Sequence, residues 1–156
     1  MKTISGFILF LIILQGTGFA TFTDNGNGTI SDSKTQLMWM KETPDINSDS
    51  SLDDTDKISW LRAIQYCENL VFAGHSDWRL PNVKEISSIS DKKVSQPSLP
   101  QCFEAISVDD VDNFYWTSTT INPLPENAWI IDFDNGRMTY QIKNNVCFVF
   151  AVRGGQ

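Results

Sequence analysis

Asn-Gly and Asp-Asn-Gly turns at both ends of the chain constrain it most. Phe22-Thr23-Asp24-Asn25-Gly26-Asn27-Gly28-Thr29-Ile30 sets two Asn-Gly pairs between β-prone residues, and Asp134-Asn135-Gly136 separates two further β-prone runs. Such turns need φ > 0, which glycine and asparagine tolerate, so each reads as a tight antiparallel hairpin. Residues 21–32 are expected to form the opening hairpin. The last third reads as strand throughout, over 114–119, 128–133, 137–142 and 146–153. Leu37-Met38-Trp39-Met40 suits a short buried strand.

Between these regions the period changes. Trp60, Ala63, Ile64, Cys67 and Leu70 recur at three- and four-residue steps, with Ser59 as N-cap and Gly74 beyond the end. That spacing predicts a helix over 59–72 with Cys67 on its buried face. Asn82 and Glu85 stand at capping-box spacing ahead of Ile86 and Ile89, which predicts a short helix over 83–90. Residues 43–57 and 91–112 lack periodicity and read as loops. The fold class is therefore α+β: an antiparallel sheet with two helices over one face.

The first twenty residues have a leader's layout: Lys2, an unbroken apolar stretch from Phe7 to Leu14, and small residues Gly18 and Ala20 before the cut. A cleavable signal peptide over 1–20 and a single domain over 21–156 are expected. The chain is thus expected to be exported, to the periplasm, the cell surface or the medium, with no membrane span once the leader is removed. No cysteine stands at the cut to take a lipid. The whole chain carries a net charge of −7, which becomes −8 when the leader takes Lys2 with it. That acidity disfavours nucleic acid, anionic lipid and sulfated polysaccharide as long-range partners.

Export lets disulfides persist, and there are three cysteines, Cys67, Cys102 and Cys147. Three pairings are open. Zinc would need clustered ligands, whereas these cysteines lie tens of residues apart and His75 is the chain's one histidine. No cofactor site is expected.

Chemistry is hard to assemble. A nucleophile needs a base, and His75 sits in the turn Gly74-His75-Ser76, where an exposed histidine needs no catalytic explanation. Asp132 and Asp134 share a strand face at acid–base spacing, but Asp134 opens a turn that favours aspartate for backbone reasons. Asp45 can open a twelve-residue calcium loop with Asn47, Asp49, Asp53 and Asp56 at the ligating positions. Ser50 replaces the turn glycine and Asp56 the longer glutamate, and an ordinary solvated loop accounts for the composition as well. Five tryptophans, at 39, 60, 78, 116 and 129, offer sugar-stacking faces, though their patterns favour the core.

Several phrases together, notably the Phe22–Thr29 turn, Leu37–Lys41, Ala63–Leu70, Ser76–Asn82 with Glu85, Tyr115–Thr119, Ala128-Trp129, Asp132–Arg137 and Val152-Arg153-Gly154-Gly155, resemble the Lcl C-terminal domain family. The resemblance implies a bacterial source and a fold related to C-type lectin-like domains and to the formylglycine-generating enzymes. It also implies surface adhesion or glycan binding. In lectin-like folds a disulfide joins the helix to the last strand. Members often carry a cysteine where this chain has Ala151, so a bond from Cys67 to Cys147 is expected in its place, ahead of Cys67 to Cys102. The paired C-terminal cysteines of the enzyme relatives are missing. The expected function is a non-enzymatic binding or adhesion module whose partner is a glycan or an envelope protein. The alternatives are a scaffold or partner-bound envelope protein, and an enzyme in which Asp77, Arg79 or Asp132 converge in a cleft.

Overall fold

In the computed structural model the described residues are 22–91, 98–103 and 113–154. The expected leader and most of the 91–112 loop lie outside them. The element order is β1 (Phe22–Asp24), β2 (Thr29–Asp32), β3 (Leu37–Met40), a 3-10 turn (Asp54–Asp56) and β4 (Ile58–Ser59). It continues with α1 (Trp60–Asn69), α2 (Val83–Ser88), β5 (Phe114–Thr120), β6 (Asn127–Asp132), β7 (Arg137–Ile142), β8 (Val146–Cys147) and β9 (Val152–Gly154). This is the expected α+β architecture, with antiparallel strands and two short helices.

The strands make three small sheets rather than one: β1-β2-β3-β9, β4-β8 and β5-β6-β7. The opening hairpin pairs Asp24 with Ile30, and Gly26 and Gly28 take φ of +73° and +82° in its turn. The Asp134-Asn135-Gly136 turn joins β6 to β7, where Asp132 Oδ1 accepts from Asp134 N and Asp132 Oδ2 from the Asn135 amide. Asp132, rather than the expected Asp134, thus supplies the carboxylate that closes the hairpin.

The expected last strand, 146–153, is divided. Cys147 pairs with Ile58 of β4, Phe148 exchanges hydrogen bonds with Phe114 and Trp116 of β5, and Val152 pairs with Trp39 of β3 and bridges Arg79. Residues 148–151 between the two short strands are buried on every side. The break sets Cys147 beside Ile58 of β4 and Ala151 beside Met40 of β3, so the two do not share one continuous strand. No disulfide is formed: Cys67, Cys102 and Cys147 are not bonded, so the expected link from Cys67 to Cys147 is absent from the structure.

The core is aromatic. Tyr115 lies between Phe133, Phe148 and Phe150 with centroid separations of 5.1, 5.4 and 5.2 Å, and its hydroxyl shares a 2.6 Å hydrogen bond with Thr43. That burial holds the Tyr115 pKa well above its ordinary value. Trp116 donates its indole N–H to Ile58 O at 2.8 Å, tying β5 to β4. Ala63 and Cys67 form the buried face of α1.

Helix boundaries depart from expectation for local reasons. Ser59 occupies the N-cap of α1 without a side-chain cap; its backbone pairs with Val146, and Lys143 O accepts from the N–H of Trp60. The helix ends at Asn69 rather than 72. Leu70 turns extended, and Phe72 and His75 exchange backbone hydrogen bonds around Ala73 and Gly74, which both have positive φ. Helix α2 has the expected capping box between Asn82 and Glu85 but stops at Ser88 rather than 90.

Candidate functional site

The segment 43–57, read as a loop, is held by its own carboxylates. Asp45 Oδ1 accepts from Ser48 N and Asp49 N, and its Oδ2 accepts from Ser50 N at 2.8 Å. Asn47 Oδ1 accepts from Asp49 N, and Asp49 Oδ1 from Ser51 N. Asp56, fully buried, accepts from Ile46 N at 2.7 Å, Asn47 N at 3.2 Å and Asp53 N at 3.1 Å. These bonds hold Ser48 and Ser50 at positive φ, which side chains ordinarily avoid. The Asp45-to-Asp56 template is thus occupied by short-range bonds to backbone N–H groups. Among the described residues no three histidine, cysteine, aspartate or glutamate side chains gather closely enough to hold a metal ion.

Beside this loop the chain forms a cleft of about 320 Å³. Its base is apolar, with Met40 from β3, Leu52 and Pro44 from the loop, and the half-exposed ring of Phe72 from the turn after α1. Its rim carries Glu42, Asp45, Ser50 and Ser51. Among the described residues no hydrogen bond or ion pair engages the Glu42 carboxylate. Gly28 completes the wall. A Cβ there would stand 2.7 Å from Phe72 Cζ, so glycine is needed both for its φ and for the ring's approach. Phe72 in turn rests on Trp78, centroids 6.0 Å apart.

A second cleft, about 390 Å³, lies along α1 and is lined by Ile46, Ile58, Arg62, Gln65, Tyr66, Asn69, Leu70 and Val71. Burial is the main cause that lifts the Tyr66 phenol to about 12.

The other candidates separate. Asp77 pairs with Arg153 at 2.7 Å, and those bonds hold its carboxyl below the usual range. Arg79 forms a fork with both Glu85 oxygens at 2.8 Å and also donates to Gly154 O. The Glu85 bonds raise the Arg79 pKa. Burial pushes Glu85 up, but its bonds to Arg79 and Asn82 N outweigh that and leave its pKa lowered. With Asp132 in its hairpin, these three residues have three different partners and none lines either cleft. Asp134 accepts from the Asn113 amide at 2.8 Å, and His75 lies in the turn that closes on Phe72.

Of the five tryptophans, Trp39, Trp78 and Trp116 are core. Trp60, expected in the core, is half-buried, with the Lys143 ammonium 4.0 Å above its ring and its N–H on Thr117 O. Trp129 is half-buried opposite the exposed Tyr140 on β7. Sequence reasoning looked to tryptophan for a sugar platform, whereas the aromatic base of the first cleft is Phe72.

No helix among the described residues is long and apolar enough to cross a membrane. No curated protein matches the chain. The family model described as the Lcl C-terminal domain matches residues 28–153, from the glycine beneath Phe72 to the arginine that pairs with Asp77. The chain belongs to the Lcl C-terminal domain family.

Proposed function

We propose that the protein is an exported binding module that takes a glycan in the cleft between the 43–52 loop and Phe72. The observation that carries this reading is the composition of the cleft. A half-buried aromatic ring and three apolar side chains form a base, and the Glu42 carboxylate, engaged by none of the described residues, forms the rim with serine hydroxyls. Sugar rings present the matching pair of surfaces, C–H groups on one face and hydroxyls around the edge. The volume suits one or two sugar units and the walls are braced, Phe72 by Trp78 and the loop by Asp45 and Asp56. The relation to C-type lectin-like domains belongs to the same proposal, as does a non-enzymatic role. The separate engagement of Asp77, Arg79 and Asp132 supports the latter.

The test is a glycan array probed with the wild-type chain, with Phe72→Leu and with Trp129→Ala, each in calcium and in chelator. Selective binding that falls at least tenfold in Phe72→Leu and persists in Trp129→Ala is expected. Binding that follows Trp129 would move the site to β6 and β7. No binding to any glycan would favour the scaffold role.

A further inference from the structure

Both clefts are built from the same two stretches of chain. Residues 44–46 give Pro44 and Asp45 to the first and Ile46 to the second, while residues 70–72 give Phe72 to the first and Leu70 and Val71 to the second. The linings thus meet along the chain at Asp45-Ile46 and at Val71-Phe72, and they differ in charge. The first carries Glu42 and Asp45, groups that accept hydrogen bonds. The second is lined by no acidic residue, and its polar wall is the outer face of α1, with Arg62, Gln65 and Tyr66 one turn apart.

Arg62 shares with Lys34, Lys84 and Arg137 the lack of a carboxylate partner among the described residues, and it is the one of these four that lines the second cleft. Arg79 is held by Glu85, Arg153 by Asp77, Lys41 by Asp24 and Lys57 by Asp54, and Lys143 lies on Trp60. Among the described residues no carboxylate pairs with Arg62, although the chain carries a net charge of −7. The side chains of Gln65 and Tyr66 likewise donate to no other described group. A guanidinium fork, an amide and a phenol thus face one concavity beside the apolar Leu70 and Val71.

We infer that the second cleft is an adjoining subsite for a carboxylate-bearing sugar, so that the ligand is a short oligosaccharide with one acidic unit at the Arg62 end. This rests on the glycan reading of the first cleft and adds the class of sugar. The guanidinium matches a carboxylate with two parallel N–H···O bonds, Gln65 and Tyr66 can donate to the ring or carboxyl oxygens, and Leu70 and Val71 cover its C–H face. A single carboxylate is specified rather than a polyanion, because the net negative charge repels a long charged chain.

The experiment is an array of sialylated, uronic-acid-bearing and neutral oligosaccharides, each acidic glycan paired with its methyl ester. It is probed with the full chain and with Arg62→Gln, Arg62→Lys and Phe72→Leu after each has been checked for a wild-type melting transition. Binding to acidic glycans that drops about tenfold or more on esterification and in Arg62→Gln, with part retained in Arg62→Lys, is the expected result. Binding confined to neutral glycans, or equal binding by Arg62→Gln, would overturn the acidic subsite and leave the glycan reading standing. Absence of binding to every glycan would overturn both.

Discussion

Replacing Gly28 by alanine is expected to destabilise the protein through two separable effects. The backbone there has φ of +82°, where an L-residue with a Cβ is disfavoured by roughly 1–2 kcal/mol. The added Cβ also lies 2.7 Å from Phe72 Cζ, about an ångström inside ordinary contact, so the ring, which packs on Trp78 at a centroid distance of 6.0 Å, must shift to admit it. Overpacking of that kind costs about 1–3 kcal/mol, for a total of roughly 2–5 kcal/mol. Urea unfolding of wild type, Gly28→Ala, Phe72→Ala and the double variant separates the effects. With the ring removed, Gly28→Ala should cost only the backbone share, about 1–2 kcal/mol, leaving a coupling of about 1–3 kcal/mol. Equal cost in both backgrounds would refute the contact, and a cost below about 0.5 kcal/mol in wild type would refute both parts.

Other expectations follow from the same geometry. Asp56→Ala strips three backbone N–H groups of their acceptor and should cost about 2–4 kcal/mol in urea unfolding, whereas Asp49→Ala, at an exposed position, should cost little. A loss under about 1 kcal/mol for Asp56→Ala would contradict its bracing role. Glu85, Asp77, Asp24 and Asp53 all have lowered pKa values in the fold, so the unfolded chain takes up protons first. Their stabilisation is complete above the ordinary carboxylate range, about pH 4, and is lost as pH falls through the folded values. Melting temperature should therefore fall on acidification below that range, and less steeply in Glu85→Gln; parallel curves for the two proteins would exclude Glu85 as a contributor. Burial pushes the Cys67 thiol up to about 12, and the more exposed Cys102 should be alkylated first. Mass mapping that finds Cys67 labelled ahead of Cys102 would contradict that order.

What could be read from the sequence was local. Asn25-Gly26, Asp134-Asn135-Gly136 and the Asn82–Glu85 box each state their structure within a few residues, and the structure has all three. The apolar steps from Trp60 to Leu70 located α1, but its end depended on the Phe72–His75 turn, which a periodic pattern does not encode. The division of residues 146–154 among β4, β5 and β3 was hidden because it depends on partners 30 to more than 100 positions away. A continuous apolar run gives no hint of where its pairing changes. The clefts were hidden for the same reason, since Gly28, Met40, Leu52 and Phe72 meet only after the sheets assemble. Ser48 and Ser50 at positive φ belie the rule that glycine or asparagine marks such turns, because Asp45 supplies the bonds that hold them there.

Residues 146–154 have a consequence for how the domain is made. They supply the partner for β4, the contacts that close on β5 and the strand beside β3, so each sheet leans on the last stretch of the domain to be synthesised. A chain emerging from its N-terminus can close the β1–β2 hairpin and wind α1, but its core lacks Phe148, Phe150 and Val152 until the end is out. Such late, distant pairing makes folding slow and all-or-none.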